Sequence, residues 1–237
     1  MHEYKAIFFD LDETLLDFKA SQRAALMRTH AVFMRDTHGA PSFDALLANF
    51  SQINGALWRR VEAGEIGPAD VKHERFETLA QTLKLDASPS QCREMADFYE
   101  ASLALSAVCL PKARETLERL KETHRLGIIT NGLSAVQHSR IQLAGFKHLV
   151  ESVFVSEEMG VAKPHKAVFD TALGHFGVLP SECLMVGDSL TSDYQGALNA
   201  GMDFCWINPE GRTIINGMPE PKWVLPNIAC WPFVEAV

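Results

Sequence analysis

The chain has 237 residues, of which 47% are hydrophobic, and a formal net charge of -8. This length and composition suffice for a buried core without disulfide staples, and the acidic balance argues against long nucleic acids and membranes as partners. No stretch approaches the ~20 apolar residues that cross a bilayer, and the start of the chain lacks the pattern of a signal peptide. The five cysteines are scattered and form no C-x-x-C pair, so we expect reduced thiols in a cytoplasmic protein.

Short apolar runs bounded by polar or turn residues predict buried parallel strands. These runs lie at Ala6–Phe9, 126–130, Ser152–Val155 and 183–186, with weaker signals at 204–207 and 222–225. Segments with helical spacing separate the later runs, at 113–123, 134–144, Lys166–Phe176 and 192–200. Strands that alternate with helices imply an α/β fold with a doubly wound parallel sheet and right-handed crossovers.

Residues 18–105 differ from the rest of the chain. Their apolar residues recur at intervals of three and four, as in Phe76, Leu79, Ala80 and Leu83, and no strand run appears. Turn signals at 39–41, 64–68 and 88–90 divide this insert into four helices. Because it follows the first strand directly, we expect a core of residues 1–16 and 106–237, interrupted by a separate helical domain of residues 17–105.

Polar residues stand at the ends of the predicted strands, where ligands of open α/β sheets bind. They are Asp10 and Asp12 after the first strand, Thr130 and Asn131 at the second, Lys163 after the third, and Asp188 with Asp193 after the fourth. Taken one at a time, such residues also cap helices, form turns or lie on the surface. Their recurrence at one edge of the sheet instead predicts an acidic site whose carboxylates are the hard oxygen ligands that Mg²⁺ prefers.

In chain order, residues 10–14, Thr130, Lys163 and residues 187–193 resemble the four motifs of the haloacid dehalogenase-like superfamily. The first reads D-x-D-x-T and the last G-D-x-x-x-x-D. This resemblance covers nearly the whole chain and implies a Rossmann-like core, a helical cap over residues 17–105, and a Mg²⁺-dependent phosphatase. Asp10 would attack phosphorus to form an aspartyl-phosphate, and Asp12 would protonate the leaving group and then activate water.

The same resemblance implies roles for the remaining polar residues. Thr130 and the backbone N–H of Asn131 would bind the phosphoryl oxygens, and Lys163 would stabilise Asp10 and the transition state. Mg²⁺ would be held by the carboxylates of Asp10 and Asp188 and the Asp12 carbonyl, and through water by Asp193, unless Asp193 caps the helix that follows it. A cation is needed because a carboxylate cannot otherwise approach a phosphate dianion.

Residues 128–132, 156–164, 184–188 and 205–208 resemble bacterial pyrimidine 5′-nucleotidases of the housecleaning type. That likeness implies a nucleoside monophosphate as the small-molecule partner, and we expect a monomer. Aromatic and polar residues suit a nucleoside leaving group. Candidates in the insert are Phe18, Asn54, Trp58, Arg75 and Phe76. Trp58 and Phe76 could equally fill the interior of the insert, and Arg75 could lie on a solvated helix face.

Three alternatives stay open. A phosphosugar or phosphoglycolate phosphatase would share the core residues and differ in the helical insert. A 2-haloacid dehalogenase needs neither a metal nor a second acid, so the presence of Asp12 and Asp188 disfavours it. A non-catalytic phosphometabolite sensor has no need of Asp12. Nucleotide-binding motifs of the forms G-x-x-x-x-G-K-[ST] and G-x-G-x-x-G do not occur.

Overall fold

A six-stranded parallel sheet forms the centre of the computed structural model, which describes residues 4–34, 41–215 and 217–231. The strands are β1 (Ala6–Phe9), β2 (Arg125–Thr130), β3 (Ser152–Val155), β4 (Cys183–Gly187), β5 (Asp203–Ile207) and β6 (Trp223–Leu225). They lie in the order β3-β2-β1-β4-β5-β6. The predicted doubly wound α/β fold is therefore confirmed, including the strands with the two weakest signals. The strand order reverses between β1 and β4, which is where such sheets bind ligands.

Among the described residues, four helices occupy the predicted insert, residues 17–105, as the apolar spacing predicts. They are α1 (Phe18–Phe33), α2 (Phe43–Glu62), α3 (Pro68–Leu83) and α4 (Pro89–Ala104). Ser88 starts α4 with a capping box shared with Gln91, and Gly64 turns the chain with a positive φ of 73°. The structure does not describe residues 35–40, so two of the three residues of the turn predicted at 39–41 lie outside the described residues. The division of the chain into two domains stays a prediction, and residues 1–3 and 232–237 of the predicted core also lie outside that description.

The insert has a core of its own. Phe50, Phe76 and Tyr99 pack ring against ring with centroids 4.8 to 5.6 Å apart, and each is almost fully buried. Each such ring contributes roughly 1.5–3 kcal/mol through burial. Leu133 and Val136, which lie beyond the insert in sequence, join the same apolar cluster. The helical layer therefore packs directly over the region that follows β2.

Helices cover both faces of the sheet. They are α5 (Ala113–Leu120), α6 (Ser134–Leu143), α7 (Ser156–Met159), α8 (Lys166–Phe176) and α9 (Gln195–Ala200). Ile7 and Phe9 pack with α5 and α6, whereas Ala6 and Phe8 pack with α8 and α9. Successive side chains of a strand point to opposite faces. Because both faces of β1 are covered, its whole sequence is apolar and buried.

The two connections between the insert and the core run side by side. Leu16 forms an isolated antiparallel bridge with Cys109, and Leu110 N donates to Leu15 O at 2.9 Å. Asp17 N donates to Val108 O at 2.8 Å, and the Asp17 side chain then caps α1 by accepting from Ala20 N at 2.8 Å. The chain thus enters and leaves the helical insert through one hydrogen-bonded ribbon.

One predicted helix begins differently in the structure. Residues 192–200 were expected to be a single α-helix, but a π-helical turn, Leu190–Tyr194, precedes α9. Ser189 Oγ accepts from Ser192 N at 3.1 Å and starts this wider turn. Such turns commonly occur at functional sites because they redirect side chains, and here Asp193 lies fully buried. Among the described residues, no helix is long and apolar enough to cross a membrane.

Candidate active site

The carboxyl ends of the three central strands bring the predicted polar residues to one place. Asp10 follows β1, and its backbone N–H donates to Val186 O of β4 at 2.8 Å. Asp188 follows β4 directly, and its carbonyl accepts from Trp206 Nε1 at 2.9 Å. Side-chain oxygens of Asp10, Asp188 and Asp193 all lie within 4.8 Å of one another. This acidic group could hold a metal ion, since carboxylate oxygens are suitable ligands for hard cations.

Lys163 lies at the centre of these carboxylates. Its Nζ donates to Asp10 Oδ1 at 2.6 Å, to Asp193 Oδ1 at 2.7 Å and to Ile129 O at 2.7 Å. All three ammonium donors are therefore used, as a side chain only 1% exposed requires. Burial alone would lower the pKa of Lys163, but the charges of Asp10 and Asp193 outweigh it and raise that pKa above its usual value.

The site carries more negative than positive charge. Three carboxylates face the Lys163 ammonium, and the exposed Arg212 Nη2 lies 3.9 Å from Asp188 Oδ2, so the group still carries a net negative charge. Burial raises the pKa of Asp10 well above its usual value against the attraction of Lys163. Burial, together with the charge of Asp193, raises the pKa of Asp188 to about 7. Like charges that cannot separate favour protonation or a bound cation.

Asp193 reaches this group because Gly187 has no side chain. A Cβ at Gly187 would lie 2.2 Å from Asp193 Oδ2, far inside contact distance. The same Oδ2 accepts from Ser189 N at 3.1 Å, while Oδ1 faces Lys163. The alternative that Asp193 caps the following helix is wrong, because Tyr194 occupies the cap position of α9 and makes no side-chain cap hydrogen bond.

Asn131 acts on the lysine through its side chain. Its Nδ2 donates to Lys163 O at 3.0 Å, and its Oδ1 accepts from Lys163 N at 2.9 Å. These two hydrogen bonds join the end of β2 to the segment that follows β3. The sequence reasoning assigned only the Asn131 backbone a role, and the part of the side chain in fixing the lysine was missed.

Asp12 has partners that the sequence reasoning missed. Arg140 Nη2 lies 2.7 Å from Asp12 Oδ1, and Gln137 Nε2 donates to Asp12 Oδ2 at 3.1 Å. The same Gln137 nitrogen lies 2.7 Å from Thr130 Oγ1 and donates to it, which leaves the threonine hydroxyl hydrogen to donate elsewhere. A signal was present, because Gln137 and Arg140 are polar residues on the buried face of α6 beside Val136 and Ile141.

A cavity of about 360 Å³ joins these residues to the insert. The strand-end residues in its lining are Asp10, Asp12, Asn131, Lys163, Asp188 and Asp193. The insert contributes Phe18, Trp58, Glu62, Arg75, Glu100 and Leu103 to the same lining. Enclosed cavities of this size with a few placed polar groups are typical of small-molecule sites.

The structure separates the candidates in the insert. Phe18, Trp58 and Arg75 line the cavity. Phe76 instead packs in the interior of the insert, 1% exposed, so the expectation that it offers an aromatic surface to a ligand is wrong. The alternative of a solvated helix face for Arg75 is also wrong, since its side chain is 4% exposed and its Nη2 pairs with Glu100 at 2.9 Å. Asn54 is buried, 3.5 Å from Arg75 Nη1.

Comparison with known proteins assigns the family. The model of the haloacid dehalogenase-like hydrolases matches residues 4–201. The chain belongs to this family of hydrolases. This haloacid dehalogenase-like hydrolase is 35% identical to the pyrimidine 5′-nucleotidase YjjG of Escherichia coli K12, over 94% of this chain and 93% of YjjG. It is also 35% identical to the glyceraldehyde 3-phosphate phosphatase of Pyrococcus furiosus, over 87% of this chain and 82% of that enzyme.

A solved structure shows the same architecture. The crystal structure of the HAD-hydrolase YfnB from Bacillus subtilis superposes with a TM-score of 0.86 at 28% identity, and the match covers 96% of both chains. That protein was crystallised bound to magnesium and shows interdomain movement. The likeness to the haloacid dehalogenase-like family predicted from the strand-end residues is thus confirmed, and so is the likeness to bacterial pyrimidine 5′-nucleotidases.

Proposed function

We propose that this hydrolase is a phosphatase that removes phosphate from nucleoside monophosphates through an aspartyl-phosphate on Asp10. The single observation that carries the proposal is the placement of Asp10 at the β1 tip, 2.6 Å from Lys163 and beside Asp188 and Asp193. A carboxylate so placed can attack an anionic centre only where cations neutralise both partners. Asp12, two residues further on, lines the same cavity and supplies the second acid.

Mg²⁺ fits the acidic group of Asp10, Asp188 and Asp193. Three carboxylate oxygens within 4.8 Å of one another and a net negative charge suit a hard divalent cation. Burial, and then the charge of Asp193, raise the pKa of Asp188 to about 7, and a bound cation would favour its ionised form. When bound, the ion would neutralise charge on the phosphate group and on the attacking carboxylate. Asp12 would contribute its backbone carbonyl.

The residues of the chain account for both chemical steps. Lys163 holds Asp10 Oδ1, so Oδ2 is the atom that forms the new bond to phosphorus while the ester bond breaks. Asp12 gives its proton to the departing oxygen and then takes one from the water that hydrolyses the aspartyl-phosphate. Thr130 and the Asn131 backbone N–H donate to the phosphoryl oxygens, which stabilises the transition state.

The insert end of the cavity supports a flat, polar leaving group. Phe18 and Trp58 offer aromatic surface, and the Arg75–Glu100 pair offers both donors and acceptors to the edge of a ring. Arg75 Nε is buried and has no hydrogen-bond partner among the described residues, so this donor of the arginine is unsatisfied. A nucleoside presents such an edge, and the match to YjjG spans 94% of this chain.

A screen of phosphate release tests the assignment. Nucleoside monophosphates, glyceraldehyde 3-phosphate, phosphoglycolate and other sugar phosphates are compared with Mg²⁺ and again with excess chelator. We expect nucleotides to give the highest kcat/KM and the chelator to remove activity. Preferred release from phosphosugars would favour the alternative that the Pyrococcus relative supports. Chloride release from 2-chloropropionate without metal would instead indicate a dehalogenase.

Replacing Arg75 with methionine tests the leaving-group end. A hydrogen bond from a charged group contributes about 1.5–3 kcal/mol, so we expect KM for the preferred nucleotide to rise by roughly 10- to 100-fold. KM for p-nitrophenyl phosphate, which has no base, should change far less. Arg60→Met is the matched control, because Arg60 pairs with Glu74 on the insert away from the cavity. Equal shifts for both substrates would contradict the assignment.

A further inference from the structure

A buried arginine lies directly behind Asp12. The Arg140 side chain is fully buried, and its Nη2 lies 2.7 Å from Asp12 Oδ1. Its Nη1 donates to Gln137 Oε1 at 3.0 Å, and its Nε donates to Ser106 O at 3.2 Å. Removing a guanidinium from water costs several kcal/mol, which a contact without good hydrogen-bond geometry offsets only in part. The burial of this guanidinium against Asp12 is therefore consistent with a role in holding that carboxyl group.

Gln137 holds the other oxygen of the same carboxyl group. Its Nε2 donates to Asp12 Oδ2 at 3.1 Å and to Thr130 Oγ1 at 2.7 Å. A Cβ at Gly132 would lie 2.7 Å from Gln137 Cγ, so the glycine makes room for this side chain. Both oxygens of Asp12 are thus restrained from α6, an element 125 residues away in sequence.

Arg140 and Asp12 are in close contact without an aligned hydrogen bond. Asp12 Oδ1 and Arg140 Nη2 are buried, and neither makes a hydrogen bond of good geometry among the described residues. The arginine is fixed instead by Gln137, by Ser106 and by the ring of Phe18, whose centroid lies 5.6 Å from the guanidinium carbon. Ser106 and Phe18 flank the ribbon that joins the insert to the core.

We propose that Arg140 is a positioning residue that, with Gln137, holds the Asp12 carboxyl in the orientation needed for proton transfer to the leaving group. This inference rests on the proposed phosphatase activity, in which Asp12 is the general acid. Arg140 itself does not line the cavity, and it would act on the reaction only through Asp12. Its contribution should therefore appear only where the leaving group requires a proton.

Aryl phosphates of similar shape isolate this contribution. A p-nitrophenolate leaves without a proton, whereas phenol needs one, and the two rings are of similar size. The ratio kcat/KM reports the steps up to departure of the alcohol, so later hydrolysis of the aspartyl-phosphate does not affect it. For Arg140→Met we expect kcat/KM on phenyl phosphate to fall by roughly 10- to 100-fold. The fall on p-nitrophenyl phosphate should be much smaller.

Further variants separate positioning from folding. Arg140→Lys keeps the charge and should recover part of the activity on phenyl phosphate. Gln137→Met, like Arg140→Met, should lower kcat/KM on phenyl phosphate more than kcat/KM on p-nitrophenyl phosphate. Arg125→Met is the matched control, since Arg125 pairs with Glu151 at the opposite end of β2. Equal losses on both substrates in folded Arg140 and Gln137 variants, or no loss, would overturn the inference. Wild-type protein inactive on both with Mg²⁺ would instead overturn the proposed phosphatase.

Discussion

Asp10→Asn is expected to reduce phosphate release on the order of 10⁴-fold or more, because an amide cannot form the covalent bond to phosphorus. The loss should affect nucleotides and p-nitrophenyl phosphate alike, since both pass through the same nucleophile. Initial rates with Mg²⁺, measured at enzyme concentrations high enough to detect a residual rate, give the ratio. Activity within tenfold of the wild type would rule out Asp10 as the nucleophile.

The stability of the same variant separates chemistry from folding. The pKa of Asp10 is raised in the folded state, so its ionised form destabilises the metal-free protein once the pH exceeds the ordinary carboxyl range. The asparagine carries no such charge, while Lys163 keeps an oxygen acceptor at 2.6 Å. We therefore expect Asp10→Asn to melt at or above the wild-type temperature in metal-free buffer at neutral pH. A lower melting temperature would indicate that the loss of activity has a structural cause.

Lys163→Met is expected to affect both activity and stability. Loss of one positioned cation at a site of phosphoryl transfer reduces kcat by roughly 10²–10³-fold. The substitution also leaves Asp10 and Asp193 buried with no ammonium partner, and breaking a buried ion pair in this way costs about 3–5 kcal/mol. Steady-state kinetics and denaturant unfolding in metal-free buffer measure the two effects.

The pH dependence of that stability has a defined sign. The pKa of Lys163 is raised by folding, so its contribution is fully present below the ordinary lysine pKa and is lost only at high pH. At neutral pH the Lys163→Met variant therefore loses the whole of this contribution to stability. The variant should regain stability in mild acid, where the carboxylates with raised pKa take up protons.

Lys166→Met is the control for this substitution. It removes an exposed partner of Asp170 and should change the free energy of unfolding by less than about 0.5 kcal/mol. An equal loss in both variants would contradict the assigned role.

The sheet and the strand-end residues could be predicted because both depend on local patterns. Apolar runs mark β1 and β4, and parallel strands bring the residues after them to one edge. Asp10, Lys163 and Asp193 therefore meet although 153 residues separate the first two. The exact metal ligands and catalytic roles stay predictions that the variants above test.

Other contacts depend on tertiary packing that no local pattern encodes. The spacing of Arg140 and Gln137 with the apolar residues of α6 indicates a buried face, but their contact with Asp12 forms only when α6 packs over it. The π-helical turn was missed because Ser192 and Asp193 also suit an α-helix start, and the burial of Asp193 against Lys163 decides between the two. Phe18 and Trp58 could not be distinguished from Phe76 by sequence, since an apolar face that lines a cavity and one that fills a core have the same spacing.

The paired connections through Leu16 and Cys109 make the helical insert separable in evolutionary terms. Because its entry and exit lie side by side, a segment of different length or helix arrangement can replace it without changing the spacing between β1 and β2. A replaced insert would change which leaving group is preferred, because the insert lines the cavity, while the residues that cleave the bond would stay at the strand ends of the sheet. A lineage could in this way acquire new substrates by recombination at two neighbouring points, with the phosphate-handling residues unaltered.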